Sequence, residues 1–224
     1  MPTGTLSGCM DERRLASDAD EAAEEHAGDC WNGETLSVTG CTRCPDLVDS
    51  RGQIVDGVGP SDADLLFVGE APGATEDERG EPFVGRSGDV LDDALRAVGL
   101  DRTDVRITNC VRCRPPDNRD PAAEELGHCR GYLEAELRAL DPELVVTLGK
   151  VPAEHVLGRS VAVTSEAGSL EELDVGPERF RVLLSVHPAA TLYDPGQREV
   201  FTETIARAAE YAGDVGQATF EDFG

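Results

Sequence analysis

Lysine is almost missing from this chain. Lys150 stands alone against nineteen arginines in 224 residues. Aromatic residues are also scarce, at 4%, and basic charge is outnumbered, with 20 Lys+Arg against 45 Asp+Glu for a net charge of -25. That balance argues against non-specific attraction to nucleic acid or anionic lipid, and leaves room only for a local basic site. No run approaches the roughly 20 apolar residues a spanning helix needs, so no membrane role is expected. The opening Met1-Pro2-Thr3-Gly4 has neither a basic nor an apolar stretch, so no secretory signal is expected and an intracellular site is. Carboxylates spread along the whole chain with so little lysine read as a surface adapted to concentrated salt, which screens self-repulsion over a Debye length of about 3 Å at 1 M.

What is present begins with cysteine. There are seven: Cys9, Cys30, Cys41, Cys44, Cys110, Cys113 and Cys129. An odd count without a signal peptide argues for metal binding or catalysis rather than a disulfide framework. Cys41-Thr42-Arg43-Cys44 is a CxxC, and Cys113 and Cys129 stand sixteen positions apart. Four thiolates from two segments can make an all-cysteine metal site, and spacing alone leaves zinc and an iron–sulfur cluster both open. Cys129 also reads as a core thiol on an apolar helix face. Cys110 is a spare, placed in the core by strand alternation, and Cys9 and Cys30 are expected as free thiols.

The length fits one domain, or one plus a tail. Residues 1–35 are acidic, with Asp18-Ala19-Asp20-Glu21-Ala22-Ala23-Glu24-Glu25 offering little to bury, and read as a disordered tail or a loosely held helix. Residues 36–212 form the expected domain, and 213–224 a flexible end. Within the domain, strands are expected at 64–68, 105–108, 144–148 and 181–186. Helices are expected around 90–98, from Asp120-Pro121 to Leu140, at 151–157 and at 199–212, with an edge hairpin or irregular excursion over 160–175. Strands alternating with helices imply a mostly parallel sheet covered on both faces.

Ligands of such sheets bind beyond the carboxyl ends of the strands. The first strand runs into Gly69-Glu70-Ala71-Pro72-Gly73, the second into Asn109 and the fourth into His187-Pro188. An acid, an amide and an imidazole therefore share one edge.

Three blocks carry a resemblance. Gly69–Gly73 with Glu76-Asp77 and Gly80–Gly88 is the first. Thr108-Asn109 with Arg112–Arg119 is the second, and His187-Pro188-Ala189-Ala190 the third. In this order, with the four cysteines, they resemble the family 4 (type-4, iron–sulfur) uracil-DNA glycosylases. Glu70 favours family 4 over its sister family 5, which lacks that acid.

The resemblance implies a three-layer α/β/α sandwich around a mostly parallel four-stranded sheet. It implies a structural [4Fe-4S] cluster on Cys41, Cys44, Cys113 and Cys129, and excision of uracil from DNA in base-excision repair. Phe83 is then expected to stack on a flipped uracil, and Asn109 to pair with its N3–H and O4. His187 would donate to the developing charge at O2. Glu70, with Glu76 as rival, would position water or support the cationic sugar, while Ala71 and Pro72 line the pocket. Asp77 is expected to be merely solvated. Arg112, Arg114, Arg119 and Ser87 are expected to clamp DNA phosphates, with Leu192 as the wedge filling the gap. A monomer is expected, and the acidic tail stays open as a docking segment for a sliding clamp or another repair partner. Two rivals remain: a non-catalytic DNA-binding member of the superfamily, and an unrelated four-thiolate zinc protein.

Overall fold

A computed structural model of the chain describes residues 29–31, 36–38 and 40–221. The expectations on most of the acidic tail, Cys9 included, lie outside the described residues. Asp29–Trp31 (β1) and Leu36–Val38 (β2) pair antiparallel as a small separate sheet.

The central sheet is built from apolar runs. Leu65–Gly69 (β3), Arg106–Asn109 (β4) and Leu144–Leu148 (β5) are buried at every position, as strands covered on both faces must be. Glu178–Ser185 (β7) joins them in parallel, and Leu170–Val175 (β6) pairs antiparallel with β7, giving the order β4-β3-β5-β7-β6. The sheet therefore has five strands rather than the four expected. β6 is the edge hairpin arm anticipated within 160–175. Its Leu-Glu-Glu-Leu-Asp-Val sequence keeps only Leu173 and Val175 buried, and acidic residues on its outer face suit an unpaired edge.

Helices cover both faces, besides the short Pro45–Ser50 (α1), Ala74–Arg79 (α2) and Val163–Glu166 (α6). Ala123–Leu140 (α4) and Lys150–Leu157 (α5) pack Leu133, Leu137 and Val156 against Leu66, Val145 and Leu184. Arg86–Ala97 (α3) and Pro195–Glu221 (α7) pack Leu91, Leu95, Phe201 and Ile205 against Leu65, Phe67 and Val146. Successive strand residues turn to opposite faces, so β3 feeds both cores alternately. α7 is longer than expected at both ends, continuing past Ala212 to Glu221. Cys110 is buried in the first core, where alternation places it.

β4 lies on one side of β3 and β5 on the other. The chain thus reverses its direction of travel across the sheet at β3, and the crevice beyond that switch point is where a ligand fits.

Candidate active site

Glu70, Asn109 and His187 follow or end β3, β4 and β7 on this one edge. The ladder extends slightly past the strands, with the Cys110 and Val111 amides donating to the carbonyls of Gly69 and Glu70 at 2.9 and 3.0 Å. Between these residues lies a cavity of about 180 Å³ lined by Glu70, Ala71, Gly73, Glu76, Phe83, Ser87, Asn109 and His187. All were expected there except Gly73, and Ser87 had been assigned to phosphate. Pro72 is buried beside the cavity without lining it.

Each wall group has a cause. Gly69 is glycine because a Cβ there would overlap both the Asn109 side chain and the Phe83 ring. Phe83 itself sits at φ 53, a left-handed backbone that a bulky residue adopts only under constraint. The constraint is Arg102, whose guanidinium donates to the Phe83 and Pro82 carbonyls at 2.8 and 2.7 Å and is braced by Asp92 at 3.0 Å. Gly88 lets α3 press against the Phe83 carbonyl, where a Cβ would collide. Arg102 is outside every motif, so nothing in the sequence pointed to it.

His187 and Phe83 face each other with ring centroids 6.0 Å apart and planes tilted by 34°. His187 Nδ1 accepts the Ala189 amide at 3.1 Å, which puts the proton of the neutral ring on Nε2. Burial holds its pKa below the usual value, and nearby Glu76 only partly offsets that. His187 is thus a neutral donor. Asn109 is 3% exposed, and its Oδ1 has no hydrogen-bond partner. Glu76 is held by the Gly85 amide at 3.0 Å and nests against Gly73, where a Cβ would lie 2.8 Å from Oε2. Burial, with Asp120 adding repulsion, pushes Glu70 up to about 7.

Two expectations need correcting. Asp77 is not solvated but buried, accepting the Gly52 amide at 2.8 Å. Arg112 is not a surface clamp. It is 2% exposed and paired with Asp56 at 2.9 Å and Glu136 at 2.8 Å. A charge buried this deeply needs carboxylates beside it. Arg119 is taken up by Glu125 at 2.7 Å, and Arg114 bonds Asn118 at 2.8 Å. Leu192, expected as the wedge, lines a groove between α3 and α7.

Cys41, Cys44, Cys113 and Cys129 gather at one apolar cluster with Val38, Leu47 and Tyr132, and all four are free thiols. Burial and the other three sulfurs push Cys44 up to about 12. Arg51 donates to Cys113 Sγ at 3.0 Å, and His128 Nδ1 lies 3.3 Å from Cys44 Sγ. As they stand, no three such side chains among the described residues are closed around a metal ion. The donor chemistry nevertheless fits one: four mutually repelling sulfurs, no carboxylate among them and an N–H donor on Cys113.

Known proteins carry the same pattern. A family model described as the uracil DNA glycosylase superfamily matches residues 57–209. The chain is 38% identical over 180 residues to a type-4 uracil-DNA glycosylase of Archaeoglobus fulgidus, covering 79% of this chain and 90% of that one. To a Thermotoga maritima type-4 enzyme it is 37% identical, over 76% of this chain and 88% of the other. A type-5 uracil-DNA glycosylase of Pyrobaculum aerophilum is 33% identical over 86% and 99%. On these matches the chain belongs to the type-4 uracil-DNA glycosylase family.

Proposed function

We propose that this chain removes uracil from DNA by hydrolysing the N-glycosidic bond of a flipped nucleotide, leaving an abasic site. The observation that carries the reading is the unpartnered, buried Asn109 Oδ1, which lines the same cavity as the Phe83 ring and a neutral His187. Leaving a buried acceptor unsatisfied costs about 1–3 kcal/mol, and a ligand N–H would relieve it. Uracil presents N3–H to Oδ1 and O4 to the Asn109 amide N–H. Cytosine presents an acceptor and an amino group there, so both contacts become repulsive.

A base inside a duplex is out of reach, so the nucleotide leaves the stack before binding. Phe83 stacks on the extruded ring. As the glycosidic bond stretches, negative charge grows on the base and positive charge on the sugar. His187 Nε2–H donates to O2 and stabilises the leaving anion; losing such a donor costs about 2.7–4 kcal/mol of barrier, or about 100–1000-fold in rate. Glu70, ionised above about pH 7, supports the cationic sugar and orients the attacking water. Glu76, fixed by Gly85, is the rival for that role and otherwise shapes the pocket wall.

Cys41, Cys44, Cys113 and Cys129 would hold the [4Fe-4S] cluster. When bound, that group ties the segment before β3 to the segment after β4 and to α4; the chemistry at the base is left to the cavity residues. Iron and acid-labile sulfide in the purified protein separate this from a zinc site.

The one-lysine, carboxylate-rich surface supports a high-salt intracellular setting and a halophilic source. A monomer is supported by the exposure of only Leu170 and Tyr193 among the large apolar side chains described. The segment proposed to meet a sliding clamp or another repair partner lies outside the described residues.

The test is uracil release from an oligonucleotide in high salt. The intact protein should release uracil but not cytosine, and Asn109→Ala and His187→Ala should each lose about 100-fold or more while still melting cooperatively. A folded, cluster-loaded protein that releases nothing leaves the non-catalytic DNA-binding reading in its place.

A further inference from the structure

A second, larger depression adjoins the base cavity and has no part in the chemistry above. It encloses about 440 Å³ between α3 and α7, and its walls include Arg86, Asp89, Asp93, Leu192 and Arg198. The two depressions are lined by neighbouring residues of the same two segments. Arg86 and Ser87 are consecutive at the start of α3, one lining the groove and the other the base cavity. Thr191 and Leu192, also in the groove, follow His187 along the short 3-10 turn Pro188–Leu192. Both segments thus place the groove beside the base cavity.

Its arginines are exceptional in this chain. Elsewhere each described guanidinium has a partner: Arg96 meets Asp93 at 2.8 Å, Arg119 meets Glu125 at 2.7 Å and Arg159 meets Glu166 and Glu171, both at 2.9 Å, while Arg51, Arg79, Arg114 and Arg207 bond a thiol, backbone carbonyls or an amide oxygen. Arg86 and Arg198 are exposed, and among the described residues their guanidinium groups have no hydrogen-bond or ion-pair partner. With 45 acidic residues in the chain, two unpaired arginines flanking one groove are not what random placement favours. Of the two acids in the groove, Asp93 is held by Arg96. Asp89 remains as an opposing charge.

Resting on the glycosylase reading, we propose that this groove holds the phosphodiester backbone of the DNA strand that continues from the flipped uracil, with Arg86 and Arg198 as its phosphate clamps. Arginine is suited to this because its planar fork grips two phosphate oxygens at once. In concentrated salt only such direct contacts work, because longer-range attraction is screened within a few ångströms. Arg112, buried on Asp56 and Glu136, does not serve.

The test is equilibrium binding of a single-stranded oligonucleotide carrying an uncleavable 2′-fluoro-deoxyuridine, over a series of KCl concentrations. Each phosphate contact on a single strand contributes about 0.7 to the slope of log K against log salt, so Arg86→Gln with Arg198→Gln should flatten the slope by about 1.4. Asp89→Asn should tighten binding, and Arg179→Gln, on the exposed face of β7 and paired with Asp174 at 2.7 Å, should leave the slope unchanged. With cleavable substrate the double variant should raise KM more than it lowers kcat. An unchanged slope in a folded double variant, or a loss no larger than that of Arg179→Gln, overturns the proposal. If the intact protein binds but releases no uracil while the double variant still flattens the slope, the glycosylase reading fails and the groove stands.

Discussion

Two polar regions flank β4, and they are built on opposite rules. In the interior, Glu136 is fully buried and saturated. Its two oxygens take Arg106 and Arg112, both at 2.8 Å, Arg112 reaches on to Asp56, and Asp56 accepts the Val38 amide at 3.1 Å. At the sheet edge, Asn109 Oδ1 is left without a partner, Phe83 holds a left-handed backbone and Glu70 is pushed up to about 7. One region joins the β2 segment, β4 and α4 by pairing each buried charge, with Arg106 Nη2 the one guanidinium nitrogen in it left without a hydrogen bond. The other leaves an acceptor open for a ligand to complete. Strain and unmet bonding at one edge, with paired charges behind it, is how a fold keeps a binding site ready.

The difference can be broken from either side. Glu136→Ala should have the largest effect on stability. It leaves Arg106 without a carboxylate and Arg112 with Asp56 alone, and breaking a buried pair costs about 3–5 kcal/mol, readable as a lower denaturation midpoint. Uracil release per folded molecule should change far less.

The next effect is on pH. Because burial raises Glu70 to about 7, an enzyme that needs its carboxylate should gain about tenfold in rate per pH unit as pH rises toward 7, then level off above it. Glu70→Gln should lower the plateau and abolish that rise. A wild-type profile that is flat between pH 5 and 8 would transfer the role to Glu76. The same shift has a stability side. The folded state holds the Glu70 proton more tightly than the unfolded chain does, so the contribution of the protonated form is present below the unfolded pKa of about 4.5 and fades as pH rises through about 7.

The smallest effect sharpens the comparison most. Asn109→Ala should move stability by less than about 1 kcal/mol, because removing an unpartnered buried oxygen offsets the lost packing. Its loss of activity, by contrast, should be large. Matched stability with unmatched activity, measured on one preparation, is the signature of a group reserved for a ligand.

Much of the site was legible because parallel strands end on one edge. Any polar residue that follows an apolar run of this kind arrives at the same rim, so Glu70, Asn109 and His187 could be brought together on paper. Phe83 was reached through its motif alone. Arg102 was not legible, because its partners are the carbonyls of Pro82 and Phe83, and carbonyls leave no trace in residue identity. Arg112 was misleading for the reverse reason. An arginine beside a motif reads as surface until Glu136, twenty-four positions on, is seen to bury it. β6 was half legible, since an edge strand rich in acids lacks the apolar run that marked the others.

The order of residues settles the alternation of strands and helices, the edge on which the polar groups meet and the thiol set, because burial periodicity and strand direction are local properties. Which arginines are spent on carboxylates and which stay free for phosphate is decided only by the folded chain. Ion pairing depends on distances across elements far apart in the sequence, and a charge of either sign looks the same on the page whether paired or not.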